Sequence, residues 1–283
     1  MLAGKSTIEG KIEPMNTTIK LHNGNKIPKL GLGVWQADGS ETKQAVGWAL
    51  EAGYRHIDTA SIYGNEKEVG EAIRSSSIPR EDIFVTTKLW RDDHDDVERG
   101  FRRSCELLDI SYIDLYLSHF PATGLRLDAL RHMEKIAGSE FCRGIGVSNY
   151  TIQHLEELIK ETSIVPLVNQ VEYHVYLDQK ELREYCQEKG IVVVAYSPLA
   201  KGNRLADDTV LKKIAKYHQK TSAQIMLRWC LDLNMVTIPK SVSKNRIVEN
   251  SQIFDFKLRN EDLKEIEALN SGYRTCWDPT GVI

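Results

Sequence analysis

No stretch of this 283-residue chain stays apolar for the roughly 18 residues a membrane-crossing helix needs. The longest compact apolar run is 191–196. The first fourteen residues, MLAGKSTIEGKIEP, carry Lys5, Glu9, Lys11 and Glu13 where a secretory signal requires an apolar core. They are expected to be disordered, an extension or a tag, with the folded sequence starting at Met15. Cysteine is scarce: Cys105, Cys142, Cys186, Cys230 and Cys276 are odd in number, far apart and without CxxC spacing. That excludes a disulfide framework and a zinc site, and reads as the reduced thiols of a cytoplasmic protein that carries no metal. Charge of one sign is lacking too, with 37 basic against 40 acidic residues and a formal net charge of −3. The lysines and arginines are dispersed, which argues against nucleic acid or an anionic membrane as partner. A complete GxGxxG is also missing, because Gln36 stands where the third glycine would follow Gly31-Leu32-Gly33.

What is present is 41% apolar and 27% charged, enough to bury a full core in one α/β barrel or two smaller domains. One domain, 15–283, is expected. Residues 18–21 and 26–30 flank His22-Asn23-Gly24-Asn25, where Asn-Gly favours a tight hairpin turn. Strand-like runs then alternate with helix-period segments, the mark of a parallel sheet with crossover helices. The strands start with 30–35 and end near Asp58, Lys88, His119, Ser148, Gln170, Tyr196 and Pro239, which makes eight. Helices over 221–231 and 260–269 fall outside the alternation. The expected fold is a (β/α)8 TIM barrel with an N-terminal β-hairpin plug and extra helices near the C-terminus. Its chemistry belongs at the C-terminal ends of the strands.

The sequence is most explicit at 53–70, GYRHIDTASIYGNEKEVG, where a strand ends on Asp58 and a short loop carries Tyr63. Lys88 and His119 end the next two strands. A proton-donating phenol is aided by a neighbouring cation, and a buried cation needs a carboxylate. This set resembles the catalytic tetrad of the aldo-keto reductases. The likeness extends to RGIGVSNY at 143–150 and IPKSVSKNRIVEN at 238–250, and covers nearly the whole chain.

The resemblance implies NADPH-dependent reduction of aldehydes and ketones in a compact, microbial-type member. Tyr63 would be the general acid, Lys88 paired with Asp58 would pull the phenol pKa toward working pH, and His119 would orient the carbonyl. Ser148, Asn149 and Gln170 would hold the nicotinamide carboxamide, with Tyr196 stacked on its face. Lys240, Ser241 and Arg246 would meet the 2′-phosphate, and Glu249 and Asn250 the adenine. Val34, Trp35, Asp58, Ser197 and Leu199 would complete the coenzyme contacts. Trp35, Trp90, His119, Phe120 and Trp277 would line the substrate site, and a small-molecule carbonyl and a monomeric state are implied. Phe120 departs from the Trp of many relatives, and the short span from His119 to Ser148, with a short tail beyond Asn250, implies a wide, weakly selective mouth. Other readings stay open: Ser148-Asn149 as a cap for the helix near Thr151, Lys88 as the Schiff-base lysine of a barrel aldolase, and a coenzyme-binding regulatory subunit with little turnover.

Overall fold

A computed structural model describes residues 14–282 apart from 16, 163 and 206. The stretch 1–14 lies outside the described residues except for Pro14.

Strands β1 (Thr18–Lys20) and β2 (Lys26–Pro28) pair antiparallel in the hairpin that Asn23-Gly24 predicts. The barrel strands are β3 (Leu32–Gly33), β4 (His56–Asp58), β5 (Phe84–Leu89), β6 (Leu115–Ser118), β7 (Ile145–Ser148), β8 (Val168–Glu172), β9 (Val192–Tyr196) and β10 (Val236–Thr237). All neighbours pair in parallel and in sequence order. Parallel bridges between Leu30 and Thr237 and between Gly33 and Lys240 join the first strand to the last. The glycines at 31 and 33 serve this seam. A Cβ on Gly31 would stand 2.7 Å from the His56 ring, and one on Gly33 would stand 3.0 Å from the Ile238 carbonyl. The Gly-Leu-Gly run is therefore a close approach of strands and not a phosphate loop.

Among the described residues ten α-helices surround the sheet: α1 (Gly39–Glu51), α2 (Glu66–Arg74), α3 (Val97–Leu108), α4 (Arg126–Ile136), α5 (Ile152–Glu161), α6 (Lys180–Glu188), α7 (Thr209–His218), α8 (Ser222–Asp232), α9 (Lys244–Ser251) and α10 (Asn260–Glu267). Short polar side chains start several of them. Asp38, Asp96 and Asp208 accept from the third helical amide, and Thr151 and Thr221 make reciprocal capping boxes. The cap of α5 is thus Thr151, which leaves Ser148 and Asn149 for something else. Helices α8 and α10 are the two outside the alternation.

Period-two alternation sorts the strand side chains into two layers. Leu32, Ile57, Val85, Leu89, Tyr116, Val147, Val171, Val193 and Ala195 join the outer core beneath the helices. Phe84, Leu115, Leu117, Val168, Val194, Val236 and Ile238 fill the barrel interior, and Leu21 and Ile27 of the hairpin close that interior from below. The next inward positions up the same strands are Asp58, Lys88, His119, Ser148, Gln170, Tyr196 and Lys240. The polar set sits one layer above an apolar floor. Among the described residues no helix is long and apolar enough to cross a membrane.

Candidate active site

Most of the polar side chains at the barrel mouth are held by their neighbours. Lys88 has no exposed side-chain surface, and its Nζ donates to Asp58 Oδ1 at 2.5 Å and to the Thr59 carbonyl at 2.8 Å, with Tyr63 Oη at 3.4 Å. Three acceptors meet the three protons of an ammonium. The second Asp58 oxygen accepts from Gln170 Nε2 at 2.7 Å. Tyr63 reaches this cluster because the turn Ser61–Tyr63 is tied down, its Ser61 hydroxyl donating to the Lys88 carbonyl at 3.0 Å.

Burial governs the titration of the cluster. It lowers Lys88 and raises Asp58 from their ordinary values, each opposed by the other's charge. The Tyr63 phenol is pushed well above its ordinary range by burial first and by the charge of Asp58 second. This corrects the expected net fall toward working pH: burial and Asp58 outweigh the pull of Lys88, and the phenol stays protonated. His119 is pushed well below its usual value by burial and by Lys88, so its ring is neutral. Its Nδ1 is buried without a partner among the described residues. The ring packs edge-on against Tyr63 and Trp90, with centroids at 5.6 and 5.2 Å.

The amide side of the mouth is interlocked as well. The Ser148 hydroxyl donates to the Gln170 carbonyl at 2.8 Å, Asn149 Nδ2 to the His119 carbonyl at 3.0 Å, and Tyr196 Oη to Asn149 Oδ1 at 2.7 Å. Asn149 and Ser197 adopt left-handed backbone, at φ 64° and 47°, as do Ala200 and Lys201 further along the loop after β9. Non-glycine residues in that region store strain, and such strain gathers at functional sites.

These groups border a cavity of about 370 Å³. It brings together Asp58, Tyr63, His119, Ser148, Asn149, Gln170, Tyr196, Ser197 and Lys240 with Trp35, Trp90, Phe120 and Trp277. Trp277 meets Trp90 at 5.9 Å and Phe120 at 6.1 Å, which gives one aromatic wall. Val34, Leu199, Ser241, Arg246, Glu249 and Asn250 do not line it. Val34 is buried, with its carbonyl accepting from Asn65. Ser241 bonds the turn before α9, Glu249 accepts from Thr221, and Asn250 is buried. Lys240 and Arg246 have no ion-pair partner among the described residues. Asn245 and Arg246 lie in the first turn of α9, where no side chain caps the helix.

Sequence reasoning missed Ile62, Lys201, Thr275 and Cys276 in the cavity wall. Thr275 and Cys276 directly precede Trp277, so the tryptophan that was singled out pointed to them. Lys201 carries charge in the loop after β9, with Nζ over the Trp35 ring at 5.2 Å and bonded to the Thr275 carbonyl at 2.7 Å. A second hollow of about 650 Å³ lies at the hairpin end, between Lys26, Arg55, Asp82 and Arg143. It has no comparable convergence of buried polar groups. Among the described residues no group of three His, Cys, Asp or Glu is arranged to hold a metal, and all five cysteines are free.

The family model "Aldo/keto reductase family" matches residues 29–271. Among characterised relatives, the 9,11-endoperoxide prostaglandin H2 reductase of Trypanosoma cruzi is 48% identical over 92% of this chain and 94% of its own length. The glyoxal reductase of Bacillus subtilis is 46% identical over 94% of this chain and 97% of its own length. The crystal structure of MGS-M4, an aldo-keto reductase from a deep-sea metagenome library, superimposes with a TM-score of 0.91 at 42% identity. It covers 94% of this chain and all of that one.

Proposed function

The chain belongs to the aldo/keto reductase family, and from that premise we propose that it is an NADPH-dependent reductase of aldehydes and ketones with Tyr63 as general acid. The observation that carries the reading is the buried contact chain from Asp58 through Lys88 Nζ to Tyr63 Oη, 2.5 and 3.4 Å long, opening into an aromatic cavity.

The side chains present fit a nicotinamide coenzyme. Ser148, Asn149 and Gln170 offer amide and hydroxyl groups at one side of the cavity, Tyr196 offers a ring face, and Trp35 and Ser197 lie on the same cavity, with Val34 and Leu199 outside its lining. Lys240 and Arg246, without a carboxylate partner among the described residues, would take the 2′-phosphate with Ser241 beside the uncapped start of α9, where unpaired amides favour an anion. Glu249 and Asn250 would bound the adenine. When bound, the coenzyme supplies the hydride.

This chain's residues do the rest. His119, neutral, orients the substrate oxygen by a hydrogen bond. Tyr63 Oη gives a proton to the oxygen as negative charge develops on it. Lys88 stabilises the phenolate left behind, and Asp58, fixed by Gln170, keeps the ammonium in place. Trp35, Trp90, Phe120 and Trp277 exclude water and pack the substrate's apolar part. One relative is named for glyoxal, so small dicarbonyls head the list of candidate substrates. The reading takes 15–283 as a single domain acting as a monomer in the cytoplasm, without metal.

A steady-state screen of aldehydes, dicarbonyls, keto-sugars and ketosteroids with NADPH tests it. Turnover below about one per minute on every carbonyl, far under the usual enzyme range, would favour a coenzyme-binding regulatory subunit instead.

A further inference from the structure

The segment 270–278 crosses the cavity mouth without regular secondary structure, yet it supplies Thr275, Cys276 and Trp277 to the wall. Irregular backbone must find partners elsewhere. The amides of Ser271 and Tyr273 donate to the Tyr176 carbonyl at 3.2 and 3.0 Å. The next two tied amides go to one side chain. Glu172, the last residue of β8, accepts from the Thr275 amide at 2.7 Å and the Thr275 hydroxyl at 2.6 Å on one oxygen, and from the Cys276 amide at 3.1 Å on the other. His174 Nε2 lies 3.1 Å from the first oxygen and Arg274 Nη1 3.6 Å from the second. The carboxylate has no exposed surface. Burial alone would raise its pKa, but the bonds from His174 and Thr275 outweigh it and hold it below the ordinary value. Beyond Trp277 the next long-range tie is His154 Nε2 with the Val282 carbonyl at 2.8 Å.

Trp277 therefore stands directly after two amides gripped by a buried anion. We propose that Glu172 is the positioning residue for the substrate-side wall: by clasping Thr275 and Cys276 it sets where Trp277 stands and so which carbonyl substrates fit. Glu172 touches neither the tetrad nor the proposed phosphate site. Its effect belongs in substrate KM and selectivity. The inference rests on the proposed reductase activity for its kinetic arm and is independent of it for its structural arm.

The experiment compares wild type, Glu172→Ala, Trp277→Ala and the double variant. Hydrogen exchange of the Thr275 and Cys276 amides is measured alongside kcat and KM for a bulky aromatic aldehyde and for glyoxal. Glu172→Ala should speed exchange at both amides. It should lower kcat/KM for the aromatic aldehyde by roughly tenfold or more through KM, the scale of a few lost apolar contacts. NADPH Kd and kcat for glyoxal should stay within about twofold. Because the loss is exerted through Trp277, the double variant should lose no more than Trp277→Ala alone. Thr275→Val, which replaces the hydroxyl by a methyl and keeps the amide bond, should give a smaller shift in the same direction and serves if Glu172→Ala fails to fold. Unchanged exchange at 275 and 276, faster exchange with unchanged selectivity, or fully additive losses would each overturn the proposal. If wild type reduces no carbonyl, the functional reading fails, and the exchange arm alone decides whether Glu172 is the clasp.

Discussion

Lys88, behind the cavity wall, has no exposed surface, whereas Trp277, on the cavity itself, leaves 65% of its area in solvent. The floor of the site is built on strand ends. Asp58, Lys88, Ser148 and Gln170 are inward-facing, buried and bonded to one another, and the barrel holds them as firmly as its own core. The rim consists of Trp35, Ile62, Lys201 and Trp277, contributed by loops and tail, with Trp35 at 41% exposure. Loops carry the part of function that varies, on a scaffold that does not. The difference teaches where a substitution should act: on the chemical step if it strikes the floor, on affinity and choice if it strikes the rim.

Tyr63→Phe is the sharpest test, since it deletes one proton and keeps the ring. kcat for any carbonyl should fall by about 10²–10⁴-fold, the scale of general acid catalysis, with coenzyme Kd nearly unchanged. Wild-type turnover would break the floor assignment.

Lys88→Met should come next. It leaves the Asp58 carboxylate buried without its cation, which costs about 3–5 kcal/mol of stability in such pairs. Turnover should also fall, and the alcohol-oxidising direction should move to higher pH as the phenolate loses its support. Asp58→Asn combined with Lys88→Met should recover the stability and none of the turnover. Urea unfolding with steady-state rates would distinguish this from a purely structural pair, which would recover both.

A charge at the periphery should matter to one coenzyme alone. Arg246→Ala should weaken NADPH by roughly 10- to 150-fold, from about 1.5–3 kcal/mol for a charge-assisted bond, with little change for NADH. Equal losses for both coenzymes would withdraw the 2′-phosphate assignment.

The smallest effect concerns acid. His56 in the barrel wall is held neutral, its pKa lowered to about 3 by burial first and by Lys88. His94, at the end of the turn that follows Trp90, is lowered to about 4 by burial. The unfolded chain binds these protons near pH 6.5, so stability is complete above that value and falls as pH drops toward 4. His94 alone should remove on the order of 2 kcal/mol between pH 8 and 5. His94→Asn should flatten the pH dependence of the urea midpoint over that range, and an unaltered slope would contradict the assignment.

The floor was legible in the sequence because strand ends announce themselves: an apolar run stops, and Asp58, Lys88, His119 or Gln170 stands at the stop. Parity then places them on one face. The hairpin plug was legible from Asn23-Gly24. The rim was legible only where a large aromatic stood out. Thr275, Cys276, Ile62 and Lys201 lie in segments without periodicity, and Thr275 and Cys276 are held at the cavity by Glu172, over a hundred residues away in sequence. Glu172 reads as an ordinary strand residue until residue 275 is folded against it. The titration of Tyr63 was misread because the sequence names its cation but not the depth of its burial.

Leu21 and Ile27 stopper the barrel from below. A vessel stoppered at one end works as a stack, in which whatever lies deepest must arrive first and depart last. If the nicotinamide end of the coenzyme lies against Ser148 and Gln170, the carbonyl follows it in and the alcohol precedes it out. The hairpin, far from any chemistry, thereby dictates the sequence of events, and product-inhibition patterns would show it as strict order.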